Sequence, residues 1–307
     1  MASEPDSGRD GVDDGTGRDD RAGARTQGGG TEGRSDDRAG ARTETRGDGR
    51  APDGGADRPA ARTSVWLDGK PAARGRRNDR TDHPSGLDRD RITSVSVRLL
   101  DTEGPAKFSM RRLAAELGVT AMSLYWYVDT KDDLLELALD SVFAEIRVPE
   151  PDQDLDWRAR LRELAAQYRA LLVRHHWVSP LVGKYLNIGP RSMEFSAAVQ
   201  AVVRGTGLSP RGQAGATAAV FQFVYGFGTV EGHFVQRCAD AGLSQEAYFR
   251  RAMGAIGEQP RLEEAFGSTA EVAASRGGGT VEEMRDRDFV FALELLVAGI
   301  EAMRDRD

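Results

Sequence analysis

From residue 88 to residue 304, large apolar side chains return every three to four positions, and no stretch alternates apolar with polar between turn residues. That spacing lines one face of a helix, whereas a half-buried strand needs a period of two. The chain is therefore expected to be all-α. Upstream, the pattern vanishes. The first 86 residues are Gly, Arg, Asp, Ala and Thr, with little that is large and apolar besides Val65, Trp66 and Leu67. Such a stretch cannot bury enough surface to offset its conformational entropy and is expected to be a disordered tail. Its near repeats, Asp19–Thr26 and Asp36–Thr43 with an echo at Asp57–Thr63, read either as a binding tail or as low-complexity drift. The expected division is a tail over 1–86, a small helical module over 87–135 and a larger helical domain over 136–307.

The module carries specific punctuation. Ile92, Val95, Val97, Leu99 and Leu100 give a helix over Arg89–Thr102, which Glu103-Gly104 ends and Pro105 does not let continue. Ser109 caps a short helix with Leu113, Ala114 and Leu117 inward, and Gly118 turns the chain. Thr120 caps the next helix, Ala121–Tyr127, with Leu124 and Tyr125 inward and Ala121, Met122, Ser123 and Tyr127 outward. Two short helices joined by such a turn form a helix-turn-helix. Reading base edges needs small or polar groups at the start of the second helix, which Ala121, Met122 and Ser123 supply. Phosphate donors would flank it: the hydroxyls of Ser109, Thr120, Tyr125 or Tyr127, and Lys131. Arg111 reaches either a guanine edge or a phosphate. Upstream, Lys70, Arg74, Arg76, Arg77 and Arg80 form either a basic arm that tracks DNA or a solvated linker.

Met110–Asp140, and above all LYWYVDTKDDLL at Leu124–Leu135, resembles the TetR family of repressors. The resemblance implies that Arg111, Ala121, Met122 and Ser123 sit where bases are contacted. It places Tyr125, Tyr127 and Lys131 at phosphate positions and packs Trp126 against the module or the connecting helix. Ala121 and Met122 offer only apolar contact, so the operator cannot be copied from a relative.

The net charge of −7 over 307 residues excludes a sequence-independent DNA coater, but not a protein whose basic groups are gathered on one small module. One cysteine, Cys238, forbids an intrachain disulfide and fits a reducing compartment. The absence of a long apolar run or an apolar leader points to a soluble protein without membrane partners, cytoplasmic and nucleoid-associated when bound to DNA.

The larger domain begins with a connecting helix over 131–147 and continues through Trp157–Arg174, Arg191–Arg204, Pro210–Ala239, Ser244–Gly257, Leu262–Phe266 and Val281–Arg304. Small residues thin the 210–239 helix, including Gly212, Gly215, Gly226, Gly228 and Gly232, and the 281–304 helix is apolar around much of its circumference. The resemblance implies that these two helices form the interface of a homodimer, and a two-fold dimer reads a palindrome of double-stranded operator DNA. A monomer with ordinary core helices is the alternative. Aromatic walls with polar tips suit a small-molecule effector pocket, and the candidates are Tyr168, His175, Trp177, Asn187, Phe221, Gln222, Tyr225 and His233, with His176, Tyr185 and Phe223 in their company. No spacing supports a metal site, and no motif calls for a cofactor. The leading expectation is a regulator released from DNA by a ligand. A ligand-independent DNA-binding regulator is the second reading, and an enzyme using the C-terminal helices, without a nucleophile–base motif to support it, is the third.

Overall fold

The computed structural model describes residues 63–68, 87–148, 156–267, 278–304 and 306. The tail repeats and the basic run Lys70–Arg80 lie outside them. Every regular element among the described residues is a helix. They are α1 (Val65–Asp68), α2 (Arg89–Lys107), α3 (Met110–Leu117), α4 (Ala121–Leu124), α5 (Lys131–Phe143), α6 (Trp157–Arg174), α7 (Val178–Val182), α8 (Pro190–Arg204), α9 (Pro210–Asp240), α10 (Gln245–Gly257), α11 (Pro260–Gly267) and α12 (Val281–Arg304).

The ends of the first helices follow from local chemistry. Asp88, Ser109, Thr120 and Thr130 each accept a hydrogen bond from the backbone N–H three residues on, satisfying donors that the helix leaves open. Within α2 the backbone breaks at Gly104, whose φ of 75° no residue but glycine adopts cheaply, and Pro105 opens one further turn. α3 ends at Gly118 (φ 67°), with the Gly118 N–H on the Ala115 carbonyl and the Val119 N–H on the Ala114 carbonyl. This crossed pair closes the helix and turns the chain into α4. Ile92, Leu100, Leu113, Leu124 and Leu134 are fully buried together at the centre of the module.

α5 is buried along its whole length from Asp133 to Val142 apart from Ser141. The division expected at 135/136 falls inside this continuous helix, so module and domain share it. In the domain, α6 lies directly on α9. A Cβ at Gly232 would stand 2.9 Å from the Leu172 carbonyl, and one at Gly228 3.1 Å from the Leu172 side chain. These two glycines therefore serve a contact within the chain, while Gly215 and Gly226 meet nothing within 4 Å. Arg169 on α6 joins three helices: it chelates Glu231 of α9 at 2.6 and 2.8 Å, pairs with Asp286 of α12 at 2.8 Å, and lies over the rings of Phe227 and Phe289.

Residues 63–68 stand apart from the structureless tail expected over 1–86. Ser64 and Val65 are buried against α5, and the apolar trio Val65-Trp66-Leu67 is what distinguishes this piece from its surroundings.

Candidate nucleic-acid interface and effector cavity

α3 and α4 present one exposed surface. Arg111 projects from α3 into solvent without an ion pair or hydrogen bond among the described residues. Its neighbour Arg112 is held by Glu103 at 2.7 Å and Glu116 at 3.0 Å, which raise its pKa and tie α2 to α3. On α4, Met122 is 70% exposed, Ala121 is half-buried, and the Ser123 and Thr120 hydroxyls bond each other at 2.9 Å. Ser109 caps α3, its hydroxyl accepting from the Arg112 N–H and keeping its own proton to donate. Lys131 donates to the Phe108 carbonyl at 2.6 Å and packs over the Phe108 ring, so it braces the α2–α3 corner and keeps two further N–H donors.

The two tyrosines exchange the places expected of them. Regular helix stops at Leu124, and a tighter turn carries 125–127. That rotation turns Tyr125 outward, 40% exposed, and Tyr127 inward, where its hydroxyl donates to the Leu87 carbonyl at 2.8 Å. Tyr127 thereby fixes the first residue of the module and has no hydroxyl proton left for phosphate. Trp126, expected to pack, is 71% exposed.

A candidate effector cavity lies between α6, α8 and α9, with Ile300 of α12 behind it. Tyr168, Phe195, Phe221, Val199 and Thr217 are among its walls. Its volume is only about 40 Å³, so its walls stand close together. Tyr168 stacks on Phe221 at 5.5 Å and touches Phe195 at 5.3 Å, and its buried hydroxyl has no partner among the described residues. Burial holds that phenol far above its ordinary pKa, so it remains a proton donor. Phe143 at the end of α5 touches Phe195 at 5.6 Å, joining the cavity wall to the helix shared with the module.

Of the expected pocket residues, Tyr168 and Phe221 line the cavity. Tyr225 stacks behind Phe221 and donates to the Ser179 carbonyl. Gln222 and His233 are exposed on α9. Asn187 is a turn residue (φ 52°) whose amide donates to the Val182 and Tyr185 carbonyls. Tyr185 bonds Asp132, and Phe223 packs on Phe289. His175 and Trp177 belong to a different site altogether. Trp177 is buried and donates its indole N–H to Asp101 of α2 at 2.6 Å. His175 lies 2.6 Å from the same carboxylate and 3.0 Å from Glu145. Burial lowers its pKa, but the bonds and charges of Asp101 and Glu145 outweigh burial and leave it raised. This cluster joins the α6–α7 corner to the module. Sequence reading missed Asp101, Glu145, Phe143 and Phe195, because each gains its partner only through the tertiary fold. Phe143 and Phe195 carried a signal, as aromatics on helices already expected at 131–147 and 191–204.

Residues 92–138 match the family described as bacterial regulatory proteins, tetR family, and residues 148–304 match the tetracyclin repressor-like, C-terminal domain. An HTH-type transcriptional regulator of Saccharopolyspora erythraea is 35% identical over 176 residues, 57% of this chain and 73% of the relative. The HTH-type transcriptional repressor DrrR1 of Streptomyces coeruleorubidus is 32% identical over 230 residues, 75% of this chain and 82% of DrrR1. Among solved structures, the Streptomyces coelicolor TetR family protein ActR in complex with actinorhodin is 26% identical with a TM-score of 0.55, covering 71% of this chain and 98% of that one. With a helix-turn-helix and an all-helical domain both matched in order, the chain belongs to the TetR family of bacterial DNA-binding transcriptional regulators.

Proposed function

We propose that the protein is a repressor that binds a palindromic operator as a homodimer and is released by a small, largely apolar, flat molecule. It acts without catalysis, in the cytoplasm. The observation that carries the reading is the Tyr168 hydroxyl: a buried donor without a partner, set among stacked rings, is matched by a planar ligand bearing one acceptor. The naming of DrrR1 as a repressor and the capture of actinorhodin by ActR support the same reading.

Release follows from the path Tyr168–Phe195–Phe143–α5. A ligand larger than the narrow space must part Tyr168 and Phe195, and Phe143 carries that displacement into α5. The equilibrium shifts by the ligand's preference for the widened arrangement. Dimerisation is supported by the outer surfaces of α9 and α12, where Val230, Val290, Phe291, Leu295 and Met303 are at least half exposed. A monomer would leave this apolar face in water.

The test is fluorescence anisotropy on a labelled operator, with actinorhodin as titrant. Saturable release by the native protein, weakened in Tyr168→Phe, supports the reading. Equal release from both proteins places the ligand elsewhere, and no effect of this or other flat aromatic compounds favours the ligand-independent regulator.

A further inference from the structure

One face of α5 carries carboxylates at 132, 136 and 140, four residues apart and so in one row. Each holds a different part of the chain. Asp132 accepts from the Tyr185 hydroxyl at 2.8 Å and from Lys184 at 3.2 Å, just after α7. Asp140 caps α8, accepting from the Ser192 N–H at 2.8 Å, and a Cβ at Gly189 would stand 2.3 Å from its carboxyl group. Glu136, between them and buried, receives the Ser64 hydroxyl and the Val65 N–H. Among the described residues these are its hydrogen-bonding partners. Trp66 then lies in a crevice shared by Glu136, Tyr185, Gly189 and Ser192, across the seam between α5 and α8.

We propose that residues 63–68 are a clip, supplied by the N-terminal extension, that staples α5 to the α7–α8 segment and holds the recognition module in the arrangement that fits the operator. The clip lies outside both matched family regions, which begin at residue 92. Its placement accounts for the burial of Ser64, Val65 and Glu136 together, and for the one apolar trio in a stretch that otherwise has few large apolar groups. A staple across this seam opposes relative movement of α5 and α8, the two helices that Phe143 and Phe195 connect at the cavity wall. Without it, α5 samples more arrangements, a smaller fraction of molecules presents the module correctly, and apparent operator affinity falls by that fraction.

The experiment compares the full chain with Val65→Asp, which cannot seat in an apolar site, and with Ser64→Ala, which removes one bond to Glu136. Hydrogen exchange followed by mass spectrometry reads the staple without any DNA, so its result is separate from the proposed ligand release. In Val65→Asp, amides of 132–143 and 190–195 are expected to exchange about 5-fold faster or more while 110–124 and 210–240 keep their rates. Operator Kd should rise by about 3- to 10-fold, with Ser64→Ala intermediate. Unchanged exchange in α5 and α8, or a uniform acceleration of every helix, overturns the staple. Local acceleration with unchanged or tighter operator binding overturns its role in DNA recognition.

Discussion

In the recognition module, Arg111 is a donor without a partner among the described residues, and it stands in water beside an arginine fixed by two glutamates. In the candidate effector cavity, the Tyr168 hydroxyl has no partner among the described residues and is buried among aromatic rings. The two await different partners at different cost. Water satisfies an exposed guanidinium, so leaving it free costs the fold nothing, and DNA gains a donor already in place. A buried hydroxyl without an acceptor lowers the stability of the empty domain, and a ligand that supplies the acceptor recovers that loss. Sites of the first kind leave stability untouched when removed; sites of the second kind raise it.

The largest effect expected from this contrast is on operator binding. Arg111→Ala should cost about 1–3 kcal/mol in affinity if the side chain reads a base, with no change in thermal stability. Arg112→Ala should do the reverse, loosening the α2–α3 junction with a smaller loss of affinity. Titration of both variants against specific and random DNA, beside their melting curves, decides it. Equal loss on both DNAs would make Arg111 a phosphate contact.

The packing of α9 separates its two faces in a similar way. Gly232→Ala pushes a methyl group against the Leu172 backbone and should destabilise the domain by about 1–3 kcal/mol in denaturant titration. Gly215→Ala meets no atom of the described residues within 4 Å and should leave that titration unharmed, while sedimentation reports any loss of dimer. Identical stabilities would mean that α6 and α9 are less closely packed than the glycines indicate.

Tyr168→Phe should stabilise the protein by about 1 kcal/mol, since it removes a buried group left unpaired. A destabilised variant would reveal an acceptor for the hydroxyl and remove the argument for a ligand there. His175 gives the smallest effect and one that depends on pH. Its pKa in the folded protein is raised, so the stability it adds is fully present below the ordinary imidazole range near pH ~6.5 and is lost as pH rises through the raised value. Melting curves from pH 5.5 to 8.5 should therefore converge for native protein and His175→Gln at the alkaline end. A gap that widens with pH would contradict the bridge to Asp101 and Glu145.

The same contrast explains what could be read from the amino-acid order. Ser109, Gly118 and Thr120 act within a few residues of themselves, so the order of α2, α3 and α4, both ends of α3 and the start of α4 were legible locally, whereas α4 stops at Leu124 and not at the expected Tyr127. The limits of α6 and α12 followed from periodicity alone. The tyrosines at 125 and 127 were misjudged because the helix tightens after Leu124, and a small change in rotation exchanges inward for outward. His175 and Trp177 looked like pocket residues because composition cannot distinguish an aromatic that lines a cavity from one that bonds a carboxylate 74 or 76 positions away. Asn187, Gln222 and His233 were polar tips without the walls they needed. The helix α1 (Val65–Asp68) was signalled by Val65-Trp66-Leu67, but nothing nearby in sequence pointed to Glu136 as its seat.

In the proposed function, an exposed α3–α4 surface, doubled by two-fold symmetry, reads operator DNA. Selection of bound duplexes from a random pool by the full-length protein tests it most directly. The expected outcome is enrichment of an inverted repeat, lost or degraded at one position per half-site in Arg111→Ala. Enrichment of an asymmetric site, of a site indifferent to Arg111, Ala121, Met122 and Ser123, or of no sequence at all would contradict it.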